Sequence, residues 1–161
     1  MKYFISDTHF GHERIIQLCD RPFKNKDEMN QVMIQNWNSI VNVDDEVYHL
    51  GDFMFYKKDT GIFNQLKGKK FLIKGNHDHS QTYTLPWEGV KEYAELIVND
   101  KKLVLFHYPI FSWNAKFHGS YHFHGHTHNI PEEQLKEKNR FNISVEYMKY
   151  RPKTFEQIVG E

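Results

Sequence analysis

The sequence predicts an α/β (α+β) chain with its strands in two layers and helices outside them. Three observations predict this. Short β-branched and aromatic runs alternate at first with helical spacing. Hairpin-like runs replace that alternation in the second half. Strand after strand ends in a residue able to bind a cation.

Taken in order, Lys2 to Ser6 reads as a first strand that delivers Asp7 at its C-terminal end. A helical zone follows. Between Lys26 and Val43, Met29, Val32, Met33, Asn36, Trp37, Ile40 and Val41 recur at three-and-four spacing, one apolar-leaning helix face. Glu46 to Leu50 is a second strand running into Gly51-Asp52. Lys70 to Lys74 is a third, with Gly68 as a helix stop before it and Gly75-Asn76-His77-Asp78 after it. Past Pro86, Val90 to Val98 and Lys102 to His107 read as two strands joined by a turn at Asn99-Asp100. Tyr121 to His124 and Phe141 to Val145 are further strands, the first ending in Gly125-His126-Thr127-His128, and a polar connection from Pro131 to Arg140 separates them. Repeats, low-complexity tracts and linkers are absent, which predicts one domain over residues 1–161.

Composition narrows the functions. Hydrophobic residues at 39% and charged residues at 26% are those of a globular chain. Lys plus Arg and Asp plus Glu balance at 21 each, so no global positive field gathers nucleic acid or acidic membranes, and an anionic substrate has to be held locally. The single cysteine, Cys19, excludes an internal disulfide framework and fits a reducing cytoplasm. Without a signal-like segment or a long apolar window, the expectation is a soluble, unprocessed, cytoplasmic protein with no membrane partner. Eleven histidines are the unusual feature, since imidazole both binds metals and moves protons near neutral pH.

The chemistry-bearing residues come in five clusters at strand ends: Asp7-Thr8-His9, Gly51-Asp52, Gly75-Asn76-His77-Asp78, His107 and Gly125-His126-Thr127-His128. Carboxylate, imidazole and amide oxygen make a mixed nitrogen and oxygen donor set, suited to Mn, Fe or Zn. The donors are too many for one ion. Two ions roughly 3.5–4 Å apart can clamp the attacking and leaving oxygens of an in-line displacement at phosphorus, and they need a bridging carboxylate. Glycines before Asp52, Asn76 and His126 suit tight turns with close approach.

The ordered set D-x-H, G-D, G-N-H-D, H and G-H-x-H, spread from Asp7 to His128, resembles the signature of the calcineurin-like metallophosphoesterases. The resemblance implies a four-layer sandwich of two mixed β-sheets flanked by helices. It implies one divalent ion on Asp7, His9, Asp52 and His128, and a second on Asp52, Asn76, His107 and His126, with Asp52 bridging. Manganese is the first expectation, with iron, zinc or nickel as alternatives. Hydrolysis of phosphate mono- or diesters would proceed through a hydroxide bridging the metals. His77 would stabilise the transition state and protonate the leaving oxygen. Asp78 either orients His77 or holds the turn. The short chain is similar to small bacterial and phage members of the family. Asp52 is followed by Phe53, Met54, Phe55 and Tyr56, so the G-D-x-x-D-R of protein phosphatases is missing, as are the D-x-G and tyrosine of purple acid phosphatases.

Plainer readings accompany these. Asn76 and His77 are also candidate substrate contacts. His12 either faces the substrate phosphate or caps a helix start. His49 reads as a packed core histidine, and His79, His118, His122 and His124 as surface or packing residues. Phe10, Phe53, Phe55, Tyr56, Tyr108 and Trp113 either stack a base or build the wall of the site. Specificity is assigned to loops around Tyr56, Trp87 and Trp113. The run Lys149-Tyr150-Arg151-Pro152-Lys153 reads as solvated surface before nucleic-acid contact. The expected substrate is a phosphorylated small molecule or nucleotide. Competing functions are a nuclease acting on DNA or RNA, a catalytically silent protein-binding scaffold of the same fold, and a structural zinc protein.

Overall fold

In the computed structural model, which describes residues 1–55, 60–131 and 137–160 and of Thr60 only the backbone, the strands form two mixed sheets. Strands β1 (Lys2–Ile5), β2 (Glu46–His49), β3 (Lys69–Ile73) and β4 (Gly89–Lys91) run parallel, in the order β4-β3-β2-β1. The short β9 (Lys153–Thr154) closes that sheet antiparallel to β1. The second sheet has the order β5-β6-β7-β8, from β5 (Tyr93–Val98), β6 (Lys101–Phe106), β7 (Tyr121–His124) and β8 (Arg140–Asn142). Strands β5 and β6 are an antiparallel hairpin, whereas β6, β7 and β8 are parallel. Asn99 and Asp100 both take left-handed backbone at the hairpin turn, as a two-residue turn matched to strand twist requires.

Alternation along the strands divides two cores. Tyr3, Ile5 and Val47 face outward, onto α1 (Glu13–Leu18), α2 (Lys26–Asn38) and α3 (Thr60–Gln65), where Met29, Met33, Trp37, Ile62 and Phe63 complete one apolar cluster. Phe4, Tyr48, Leu50 and Ile73 face inward, against Leu103, Leu105, Phe123 and Ile143 of the second sheet, and these form the other cluster. Helix α2 starts where Asn25 accepts the Glu28 N–H at 2.9 Å, an N-cap absent from the periodicity argument. The far face of the second sheet is covered by the segment from Tyr108 to Ser120, which includes a 3-10 turn at Lys116–His118. Trp113 lies over His122 there, with ring centroids 5.3 Å apart.

Two expected strands need correction. Val90 to Val98 is not one strand: β4 pairs with β3 in the first sheet, and after Glu92 the chain crosses to the second as β5. The apolar alternation runs on through that crossing and conceals it. Phe141 to Val145 also divides, because β8 ends at Asn142 and Val145 opens a helix, α5 (Val145–Met148). Helices α4 (Ser80–Tyr83) and α6 (Phe155–Val159) complete the order. A capping box of Thr154 and Gln157 starts α6. Tyr56 and part of the connection from Pro131 to Arg140 lie outside the described residues. Among the described residues, no helix is long and apolar enough to cross a membrane.

Candidate metal centre

Parallel pairing explains why motifs far apart in sequence converge. Strands β1, β2 and β3 point the same way and release Asp7, Asp52 and Asn76 at one end of their sheet. Strands β6 and β7 are likewise parallel and release His107 and then His126 and His128. The two sheets are joined at this end by the bridge of Ser6 to Ser144, so both sets of strand ends face one space.

Five of the seven expected metal donors sit on left-handed backbone: Asp7 at φ 57, His9 at 48, Asp52 at 56, His126 at 67 and His128 at 43. Such conformations cost on the order of 1 kcal/mol or more per residue and persist only where surrounding contacts impose them. Here backbone bonds do so: the N–H of Asp7 donates to Gly51 O at 3.0 Å, and that of His9 to Asp52 O at 2.9 Å. Close approach explains two glycines. A Cβ on Gly125 would collide with the Asp7 carboxylate and Ser6, and one on Gly75 with the Asp52 carboxylate.

The donor atoms have the spacing of ligands about cations. Asp52 Oδ1 accepts the His77 N–H at 2.8 Å, while Oδ2 faces Nε2 of His9 at 3.5 Å and Nε2 of His107 at 3.6 Å. Asn76 Oδ1 lies 3.0 Å from both His107 Nε2 and His126 Nδ1. His128 Nε2 is 3.6 Å from Asp7 Oδ1. Two ligands on one ion, each about 2.1 Å away, stand roughly 3.0–3.5 Å apart. The Nδ1–H of His107 donates to Leu50 O at 2.6 Å, which leaves a lone pair on Nε2 aimed at two oxygens. Lone pair against oxygen is repulsive unless a cation stands between them. His9 Nε2 makes the same case, being buried with no hydrogen-bond partner. The donor set therefore fits divalent cations. Asp7, His9 and His128 form one potential cation group, and Asp7, Asp52 and His107 another, each with donor atoms within 4.8 Å of one another.

Electrostatics agree. Burial, with the neighbouring Asp7 charge, raises the Asp52 carboxyl above its ordinary range, the response of an anion that lacks a counter-charge. Burial and the Arg21 charge push His9 well below its ordinary value, so its imidazole is neutral and able to bind. His128 is the exception. Burial opposes its charge, yet bonds to Cys19 and Glu146 and the Asp7 charge raise it to about 10.

The remaining candidates take definite places. His77 is exposed at the mouth, its ring 5.9 Å from that of His9. The Asp78 carboxylate accepts three backbone N–H groups, from Asp52 and Phe53 at 2.9 Å and Gly75 at 2.8 Å, which is the turn-holding alternative. It reaches the site through the Asp52 backbone, so the expectation of Asp78 as a catalytic group gives way to one of positioning. His12 occupies the N-cap position of α1 without making a capping bond. Its ring lies flat on Phe55 at 3.8 Å, and its Nδ1 is buried without a partner. His49 is a core residue bonded to Thr8 Oγ1 at 2.9 Å, and the rings of His122 and His124 end on backbone carbonyls. Trp87 packs against Phe53 and Phe63, and Trp113 is buried on Ser120, so neither lines the rim. Tyr108 does, with its ring 4.7 Å from that of His126.

Sequence reasoning missed Arg21, Ser144 and Glu146. Ser144 Oγ donates to Asp7 Oδ2 at 3.1 Å. Arg21 Nη2 and Nη1 donate to the carbonyls of Asp7 and Thr8 at 2.8 and 2.9 Å. The Glu146 carboxylate lies 3.2 Å from His128 Nδ1. A carboxylate outside the ligand motifs is the usual partner of a ligand histidine, which is the one signal that could have drawn attention to it.

Two mixed sheets with carboxylates, imidazoles and an amide oxygen gathered at their joined strand ends define an α/β protein with a candidate site for divalent cations. The chain belongs to the calcineurin-like phosphoesterase superfamily: the family model described as Calcineurin-like phosphoesterase superfamily domain matches residues 1–143. It is 36% identical over 164 residues to an uncharacterized protein of Methanocaldococcus jannaschii, covering 98% of this chain and 88% of that one. It is 26% identical over 160 residues to the Gene 66 protein of Mycobacterium phage L5, covering 79% and 77%. Among solved structures, a protein of unknown function from Aquifex aeolicus is similar, with 28% identity, a TM-score of 0.76 and 94% of each chain covered. Membership places the chain, in general terms, among metal-dependent phosphoesterases.

Proposed function

We propose that residues 1–161 form one domain that hydrolyses phosphate mono- or diesters, with Asp7, His9, Asp52 and His128 holding one divalent cation and Asp52, Asn76, His107 and His126 the other. The observation that carries this reading is Asp52 Oδ2, which faces ring nitrogens of both His9 and His107, at 3.5 and 3.6 Å. Manganese suits the donor set best, with iron, zinc or nickel also compatible. When bound, such a pair supplies Lewis acidity, which makes water a competent nucleophile near neutral pH and offsets charge on the phosphoryl oxygens. The chain's own residues do the rest. Exposed His77 stands at the mouth, held there through its N–H on Asp52 Oδ1, and gives its ring proton to the leaving oxygen as the P–O bond breaks. Water supplies the oxygen that joins phosphorus, so no enzyme ester forms. His12, braced by Phe55, presents a second imidazole to the phosphate. Asp78 keeps the Asp52 and Gly75 turns together.

A nucleotide or nucleic-acid substrate is a second reading, favoured by a row of rings leading away from the site. His126 to Tyr108 is 4.7 Å, Tyr108 to Phe106 5.5 Å and Phe106 to Tyr93 6.4 Å, a spacing on which bases can stack. The balance of 21 basic and 21 acidic residues favours a nucleotide over a long polymer. A silent scaffold is disfavoured because every donor position is filled by a donor residue. The test is hydrolysis of p-nitrophenyl phosphate and its bis-ester by metal-stripped protein with Mn²⁺ restored, alongside Asp52→Asn and His77→Ala. Turnover that needs metal and is lost in both variants supports the enzyme, and the ratio of the substrates separates monoester from diester chemistry. Two ions taken up without turnover on any ester would support the scaffold.

A further inference from the structure

Glu146 and Arg21 form a charged pair under the site that packing alone does not account for. The Arg21 side chain is 0% exposed and that of Glu146 is 9% exposed. Arg21 Nε and Nη2 both donate to Glu146 Oε1, at 2.9 and 2.8 Å. The same guanidinium holds the carbonyls of Asp7 and Thr8. Glu146 Oε1 in turn meets His128 Nδ1 at 3.2 Å, and the opposite nitrogen of that ring faces Asp7. One chain of contacts thus joins the first motif to the last, across 125 positions between Arg21 and Glu146. A buried ion pair gains little net stability over an apolar pair of similar size, because both charges lose their hydration. What it does supply is direction.

We propose that Glu146 is a positioning residue for the cation on the Asp7, His9 and His128 side. By taking the Nδ1–H of His128 it fixes the tautomer, so that the Nε2 lone pair points at the cation, and Arg21 locks this arrangement to the Asp7–Thr8 backbone. The carboxylate also raises the basicity of the ring it orients. Its counterpart on the other side is weaker: His107 is held by the neutral carbonyl of Leu50. The two cation positions therefore differ in affinity, and Glu146 makes the buried one the tighter. This rests on the two-cation reading proposed above.

Titration calorimetry of metal-stripped protein with Mn²⁺, beside thermal melting of the same apo samples, tests it. Wild type should take up two equivalents in separable steps. In Glu146→Gln, which keeps the shape and loses the charge, the tighter step should weaken by about 10–100-fold with the other little changed. Because Glu146→Ala strands Arg21 and can unfold the chain, the control is the double variant Arg21→Met with Glu146→Leu, which removes both charges. It should stay folded, melting below wild type because the buried carbonyls of Asp7 and Thr8 lose their donor, and bind the first Mn²⁺ weakly. Wild-type affinity in Glu146→Gln, or recovery of affinity together with folding in the double variant, would overturn the proposal and leave the two-cation reading intact. Wild type that binds no Mn²⁺ would overturn both.

Discussion

The two sides of the site are made from similar donors and supported differently. Asp7 and His9 are buried and His128 is half-buried, with Arg21 and Ser144 bonded to Asp7 and Glu146 to His128. On the other side His107 is buried on the Leu50 carbonyl, whereas Asn76 and His126 are exposed and are carried, like His77 beside them, by the strand-end backbone. Donors already fixed in place lose little freedom when an ion arrives, so the buried side is built for retention. Exposed donors can exchange an ion and admit a substrate. On the reading proposed above, ester hydrolysis needs both behaviours, and the two sides would divide them.

The largest effect should come from erasing the division at the residue common to both sides. Asp52→Asn should lower turnover by about 10³-fold or more, since several kcal/mol of charge stabilisation depend on it, and should reduce Mn²⁺ uptake below two equivalents by calorimetry. Full uptake with normal turnover would mean the sides do not share Asp52. Next in size is Gly125→Ala, which drives a methyl group into the Asp7 carboxylate. Overpacking of about 1–3 kcal/mol should lower the apo melting temperature by roughly 2–10 °C and impair the buried side first. His9→Ala and His126→Ala then sharpen the comparison: the first should chiefly weaken Mn²⁺ retention during gel filtration, the second chiefly raise KM.

A pH series separates ligand histidines from packed ones. Burial lowers His49 to about 3, His122 to about 4 and His124 to about 3. With folded values depressed, the unfolded chain binds more protons between pH 3 and 6.5, so stability falls as pH drops through that window. Each contributes a loss of up to about 2 kcal/mol at pH 5, and melting of the apo protein should show the decline. A flat profile from pH 7 to 5 would argue against three buried neutral rings. The smallest effects belong to His79→Ala and His118→Ala, both at exposed positions, which should leave melting and turnover within about 0.5 kcal/mol of wild type.

The convergence of the candidate donors was legible because each follows a strand within a short motif, and parallel strands carry such ends to one place. Strands β1, β2 and β7 were legible to within a residue for the same reason. What escaped was not local. Glu146 meets His128 from a four-residue helix that the apolar run up to Val145 disguises, and Arg21 reaches it across 125 positions of sequence. The change of sheets at Glu92 leaves the alternation undisturbed, so only pairing partners expose it. Of the two roles open to Asp78, only the direction of its carboxylate toward three backbone N–H groups could choose.

The bridge of Ser6 to Ser144 also sets an order of events during synthesis. Asp7 is the first donor to leave the ribosome, but the hydroxyl that steadies it and the carboxylate that aims His128 follow more than a hundred residues later. At translation speeds of about 5–20 residues per second, the nascent chain spends several seconds with its early donors made and their supports not yet made. During that interval the buried position cannot discriminate among ions by geometry. On the two-cation reading proposed above, the geometry that would select an ion is complete only once β7, β8 and α5 have docked.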